Sequence, residues 1–440
     1  MDRNYKYHFT PPNGWMNDPN GMIHINGVYH LFYQHYPKDI VWGPMHWGHA
    51  TSTDLIHWEH KDIAIFPTEE EYIFSGSCVY DAKNVSGLGT KDNPPLLAFY
   101  TGHNPVTGEE QQCIAYSTDF EKFVKYEKNP VIRNCLYLSN SLVQKNMQSL
   151  KDVSGEESPE FKKDFRDPKV FPNPVKGGFS MVLAAGHFLE FYHSTDLLFW
   201  KKTGSFAPKE TGFEEICECP DCFPLQTEEG TKWILTLSLT SHVMPYFVGE
   251  FNGDTFVEVK DVETREEFAE ANPELLLLDY GMDNYAMVSF LQSPKPLLLG
   301  WGESWDYVSQ TPAENYRGKM TLTRAVQLVK TGLGWRLRFE PAGQVDNADI
   351  WHGVLKTGEQ KEFDLSEGKK LMISVTEQEI IVDRSQAGDL SLSEFLQAKG
   401  SILSAKRLLS GACDVTVVQD NGYFEIFAEG GLVVFSVMTY

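Results

Sequence analysis

Ser52-Thr53-Asp54-Leu55-Ile56-His57-Trp58 returns as Ser117-Thr118-Asp119-Phe120-Glu121-Lys122-Phe123 and again as Ser194-Thr195-Asp196-Leu197-Leu198-Phe199-Trp200. Each copy follows a short strand-like run: His46 to Thr51, Gln112 to Tyr116 and Glu190 to His193. Each ends on an aromatic three positions past an apolar residue. A strand, a polar turn and an aromatic anchor are what a β-propeller blade repeats. The turn caps one strand and the aromatic packs between neighbouring blades. Chance recurrence of a common turn is the competing reading, and three copies in one order weigh against it.

Outward from the repeat, helical periodicity is scarce. Only Val262 to Leu276 offers a helix, and Asn272-Pro273 interrupts it. Most of the chain alternates in short runs broken by Gly, Pro, Asn and Asp, which reads as all-β. From about Ala325 the runs become more regular. Cys413 to Gln419 and Tyr423 to Ala428 flank Asn421-Gly422, a tight-hairpin signal. Leu432 to Met438 follows, and Lys370 to Val375 with Glu379 to Val382 forms an earlier pair. Such a meander fits a β-sandwich. The expected organisation is a catalytic propeller over residues 1–324 and a short C-terminal β-sandwich over residues 325–440.

Composition narrows the partners. The 440 residues are 42% hydrophobic and 22% charged, which suits a globular core. Lys plus Arg total 38 against 61 Asp plus Glu, a net charge of −23. That surface repels phosphate backbones and anionic lipids, so neither nucleic acid nor a membrane is an expected partner. The aromatic share of 13% suits sugar-binding clefts and ordinary cores alike. No apolar segment opens the chain, which leads to an expectation of a soluble, cytoplasmic protein if Met1 is the natural start. Seven scattered cysteines suggest no disulfide framework. The Cys219/Cys222 pair has no matching second set, and the histidines at 46, 49, 57 and 60 are spaced for strand and turn, so no metal or cofactor is expected.

Three acidic stretches stand out: Trp15-Met16-Asn17-Asp18-Pro19-Asn20-Gly21, Phe165-Arg166-Asp167-Pro168 and Glu214-Glu215-Ile216-Cys217-Glu218-Cys219-Pro220-Asp221. Singly, each reads as a turn, a surface pair or an acidic loop. Together they suggest carboxylate chemistry. Glycoside hydrolysis needs one ionised carboxylate at the anomeric carbon and one protonated carboxyl for the leaving oxygen. Glu218, between Cys and Cys-Pro, has less polar sequence neighbours than Asp18, between Asn17 and Pro19-Asn20. This context predicts Glu218 as the acid and Asp18 as the nucleophile.

The chain resembles the glycoside hydrolases that include invertases, levanases and exo-inulinases. Tyr7-His8-Phe9-Thr10-Pro11-Pro12 leading into Trp15 to Gly21 looks like that family's most specific signature. Leu31-Phe32-Tyr33-Gln34, Trp47-Gly48-His49-Ala50, Phe74-Ser75-Gly76-Ser77, Arg166-Asp167-Pro168, Glu218-Cys219-Pro220-Asp221 and Gly300-Trp301 follow in family order. The resemblance implies an all-β fold, a five-bladed β-propeller followed by a C-terminal β-sandwich. It implies a retaining β-fructofuranosidase that releases terminal fructose from sucrose and short fructo-oligosaccharides through a fructosyl-enzyme intermediate. Carried over by motif, Asp18 is the nucleophile, Glu218 the acid/base, and Asp167 the group that holds fructose hydroxyls and stabilises the transition state. Asn17, Gln34, Ser75 and Arg166 would hydrogen-bond the fructosyl unit. Trp42, Phe74 and Trp301 would wall the pocket, with inter-blade packing as the alternative for each. Tyr285 is a weaker candidate. Cys219 is expected to pack against the acid/base or tune it.

Two features depart from the family pattern. A long polar stretch, Arg133 to Asp164, precedes the Arg166-Asp167-Pro168 motif, and we expect it to narrow the pocket and favour short substrates. The sandwich is short, which leaves the choice between monomer and homo-oligomer open. A fructosyltransferase on the same scaffold is the alternative within enzymes. A non-catalytic fructoside-binding protein is the alternative from another class.

Overall fold

A computed structural model describes residues 3–134, 162–208, 215–259 and 276–439. The expected helix at Val262 to Leu276, all but its last residue, and most of the 133–164 stretch lie outside the described residues. Five sheets of four antiparallel strands form the blades of a β-propeller, and two further four-stranded sheets form a β-sandwich. The first strand of each blade lies innermost: Gly14–Ile25, Tyr72–Tyr80, Phe165–Pro172, Cys217–Thr227 and Tyr285–Ser289. These five pack on one another in cyclic order, the fifth returning to the first. A two-residue strand, Tyr316–Arg317, adds in parallel to Gly14 and Trp15 on the free side of the first inner strand.

The repeated heptapeptide is the connection between the third and fourth strands of blades one to three. Ser52, Ser117 and Ser194 each accept the N–H of the Asp two positions on, at 3.1, 3.3 and 3.2 Å. Each Asp then accepts two later N–H groups, so the turn's donors are satisfied by side chains. The residue after each Asp has a positive φ: 70° at Leu55, 64° at Phe120 and 66° at Leu197. The closing aromatic reaches back to earlier chain. Phe123 meets Phe32 of blade one edge-on at 5.4 Å, Trp200 meets Phe99 of blade two at 5.7 Å, and Trp58 meets Phe9 at 6.0 Å. Blade four makes the same turn with Asn252, which accepts from the N–H groups of Asp254 and Thr255.

The strand pairing carries the fifth blade further than the division expected at residues 324 and 325. Its outer strands are Arg324–Thr331, paired to Leu297–Trp301, and Gly334–Pro341, paired to Arg324–Thr331, and the first sandwich strand begins at Ile350. The increased regularity after Ala325 begins in the last half of a blade. In the sandwich, Asn421 and Gly422 have φ of 46° and 85°, as a two-residue hairpin turn requires. Polar side chains fasten the two domains. Arg324 of blade five is fully buried and bonds Glu425, Asp279 and Ser436. His8 lies between Asp420 at 2.7 Å and Glu425 at 3.1 Å.

Candidate active site

All five inner strands break register in the same region: between Met16 and Pro19, Ile73 and Gly76, Arg166 and Lys169, Glu218 and Asp221, and Tyr285 and Val288. A bulge bends its strand and re-aims a side chain. Three of the breaks contain a proline, Pro19, Pro168 or Pro220, which has no N–H to withhold from the ladder. Asp167 and Cys219, just ahead of two of these prolines, have φ of 65° and 44°. The three acidic stretches of the sequence are therefore three equivalent bulges, and they bring their carboxyl groups together.

Asp18 accepts from Ser75 Oγ at 2.7 Å and from Asn17 Nδ2 at 3.1 Å. Trp15 Nε1 donates to Asn17 Oδ1 at 2.8 Å and fixes that amide. Gln34 Nε2 lies 2.9 Å from the Asn20 amide, oriented with its oxygen toward Gln34. Cys219 joins two of the acids: its N–H donates to Asp167 Oδ2 at 2.9 Å and its thiol faces Asp18. Asp167 is buried, and its own N–H donates to Thr101 Oγ1 at 3.0 Å. Arg166 Nη2 donates to Glu218 Oε1 at 3.0 Å, while its Nη1 bonds Asp164 and Glu110. Tyr285 donates its hydroxyl to the other Glu218 oxygen.

Burial is the main force on Asp18 and Asp167. It raises Asp18 above the usual carboxylate range, the Glu218 charge adds to the rise, and the Ser75, Asn17 and Cys219 donors oppose it. Burial pushes Asp167 up to about 7, with Glu218 and Asp18 adding to the rise against Arg166 and the Cys219 N–H. The contrast expected between Glu218 and Asp18 is not what the folded site presents. Glu218 faces a guanidinium and a phenol and keeps 24% of its side-chain surface exposed. Its sequence neighbour Cys219 turns to Asp18 instead, because the bulge separates the directions of adjacent side chains.

The aromatic candidates divide. Phe74 stacks on His103 at 4.3 Å, and Trp42, 44% exposed, stands edge-on to it at 6.0 Å. Both occupy one rim. Trp301 is fully buried against Trp15 and Trp305, so it supports the wall from behind; half-buried Trp305 is the more exposed of the pair. Glu110 escaped the sequence reading. It is buried, it holds both Arg166 and the Phe165 N–H, and no motif marks it. Cys217 and Cys222 are buried between blades three and four.

A propeller with three carboxyl groups gathered on its inner strands is an arrangement that glycoside hydrolysis can use. The family model described as glycosyl hydrolases family 32 N-terminal domain matches residues 8–341, and the chain belongs to that family. It is 37% identical over 363 residues to a levanase of Bacillus subtilis (strain 168), covering 78% of this chain and 48% of that protein. It is 35% identical to an invertase of Schizosaccharomyces pombe (strain 972), covering 73% of this chain and 52% of that one. The chain thus spans about half the length of these relatives. The exo-inulinase structure from Aspergillus awamori superimposes with a TM-score of 0.80 at 27% identity, covering 99% of this chain and 92% of that chain.

Proposed function

We propose that the chain is a retaining β-fructofuranosidase acting on sucrose and short fructo-oligosaccharides. The observation that carries this reading is the Cys219 bridge between Asp18 and Asp167, with Glu218 beside it on the same bulge. Asp18 attacks the anomeric carbon of a terminal fructosyl unit. Protonated Glu218 gives its proton to the leaving oxygen, and a fructosyl ester of Asp18 forms. Water then attacks that carbon, Glu218 takes the water's proton, and fructose leaves with its configuration retained. Arg166 and Tyr285 orient Glu218, and Asp167 holds fructose hydroxyls. Levanase, invertase and exo-inulinase relatives support the substrate class.

The preference for short substrates rests on the polar stretch from Arg133 to Asp164, expected to narrow the pocket, and on the expected cytoplasmic location, which cell fractionation tests. Hydrolysis of sucrose, 1-kestose and inulin by wild type and Asp18→Ala tests the chemistry. Wild type should hydrolyse the short substrates and the variant none. A wild type that binds fructosides yet is as inert as the variant would overturn the reading in favour of a binding protein. Transfer products dominating at high sucrose would favour a fructosyltransferase.

A further inference from the structure

Three side chains of blade two hold the backbone that presents Asp167. They come from its second and third strands, Leu96–His103 and Glu110–Ser117. Glu110 Oε2 accepts the Phe165 N–H at 2.7 Å, Gln112 Nε2 donates to the Phe165 carbonyl at 2.7 Å, and Thr101 Oγ1 accepts the Asp167 N–H at 3.0 Å. Thr101 and Gln112 are fully buried cross-strand partners, and Thr101 Oγ1 lies 2.8 Å from Gln112 Oε1. The proton order of this set has one solution. A carbonyl can only accept, so the Gln112 amide turns its NH2 to Phe165 and its oxygen to Thr101. The Thr101 hydroxyl therefore donates to Gln112, which leaves a lone pair for the Asp167 N–H. The run of bonds starts and ends on the bulge, at the N–H of Asp167 and the carbonyl of Phe165. Gln112 is itself clamped through its backbone: its N–H donates to the Ile132 carbonyl at 3.0 Å, and its carbonyl accepts from Val131 at 2.8 Å.

Asp167 has a φ of 65°, in the left-handed region that a residue other than glycine keeps only where its surroundings over-determine it. Its carboxylate is held from the opposite side, by the Cys219 N–H of blade four at 2.9 Å. One residue of blade three thus has its N–H fixed from blade two and its carboxylate fixed from blade four. In a buried network of this kind each unmade bond is costly, so the partners hold one arrangement. We propose that Thr101 and Gln112 are positioning residues that set the direction of the Asp167 carboxylate toward the fructosyl unit. Being fully buried, both act through Asp167 and not on the sugar. Their role rests on Asp167 holding fructose hydroxyls, as in the mechanism proposed above.

Kinetics on sucrose with Thr101→Val and Thr101→Ser test this. The valine keeps the shape and loses the hydroxyl, so kcat/KM is expected to fall by about tenfold or more, with weaker product inhibition by D-fructose. The serine keeps the hydroxyl and should return kcat/KM to within about threefold of wild type. Gln112→Glu, whose ionised carboxylate cannot donate to Phe165, should fall as the valine does, and it serves if that variant fails to fold. Ser180→Ala is the comparison for stability alone: it removes a buried hydroxyl of the same blade, bonded to Asn173 at 2.9 Å, and should lower the melting temperature with activity kept. Wild-type kinetics in Thr101→Val and Gln112→Glu, or an equal loss of activity in Ser180→Ala, would overturn the proposal. Should the wild type cleave no fructoside, the proposed function fails on its own, and the crystal structure of Thr101→Val decides the positioning role. Asp167 is then expected to leave its left-handed conformation or lose its Cys219 bond, and an unmoved Asp167 would overturn the role.

Discussion

The Cys219 thiol donates to Asp18 Oδ2 across 3.5 Å. A thiol is a weak donor, but here it acts on a buried carboxylate whose proton affinity burial has already raised. Cys219→Ala removes one of three opposing donors, so the Asp18 pKa rises further. In the proposed mechanism Asp18 must be ionised to attack. The acid limb of kcat/KM is therefore expected to move to higher pH, with activity on that limb lower by about tenfold, about 1.4 kcal/mol. An unchanged limb would show that the thiol only packs.

Arg166 serves three carboxylates, Asp164, Glu110 and Glu218, with the two terminal nitrogens of its planar fork. A lysine ammonium at this position cannot span the same set. Arg166→Lys is expected to lower kcat about a hundredfold. Glu110→Gln keeps the shape but not the charge and is expected to fall between that variant and wild type. Steady-state kinetics on sucrose check both.

The junction of the domains carries its own pH dependence. Burial opposes charge on His8, but Asp420 and Glu425 overcome it and raise the His8 pKa. A raised pKa adds stability that is fully present below the unfolded value and is lost as pH rises through the folded one. Unfolding temperatures are expected to fall as pH rises above about 6.5, and His8→Gln should flatten that slope. Asp420 and Glu425 are held below their usual values despite burial, so their contribution is lost at the acid end instead.

The repeated turn is expected to matter for stability and not for chemistry. Asp196→Ala frees the N–H groups of Leu198 and Phe199, at a cost of about 1 kcal/mol. Denaturant melts should detect that loss while kcat stays unchanged.

Much of this was legible in the chain. The three Ser-x-Asp turns mark blades one to three because their side chains do the work of backbone bonds, a requirement written in residue type. Blade four satisfies the same need with Asn252, and the motif disappears from view. The carboxylates were legible for a related reason, since each precedes or adjoins a proline that a bulge tolerates. Side-chain direction was not legible. Cys219 and Glu218 are neighbours in sequence and face different partners, and burial of Trp301 depends on Trp15 from the first inner strand and on Trp305 from the turn that follows the strand of Trp301 itself. Glu110 has no local signature at all, because its importance comes from Arg166, which reaches it from the next blade.

The parallel pairing of Tyr316 and Arg317 with Gly14 and Trp15 sets an order of events during synthesis. The first inner strand carries Asp18, yet its free side is covered by chain made almost last in the propeller. Until that segment leaves the ribosome, the nascent protein holds an open edge on the strand that carries Asp18, so the first blade is sealed on that side only by a late contact.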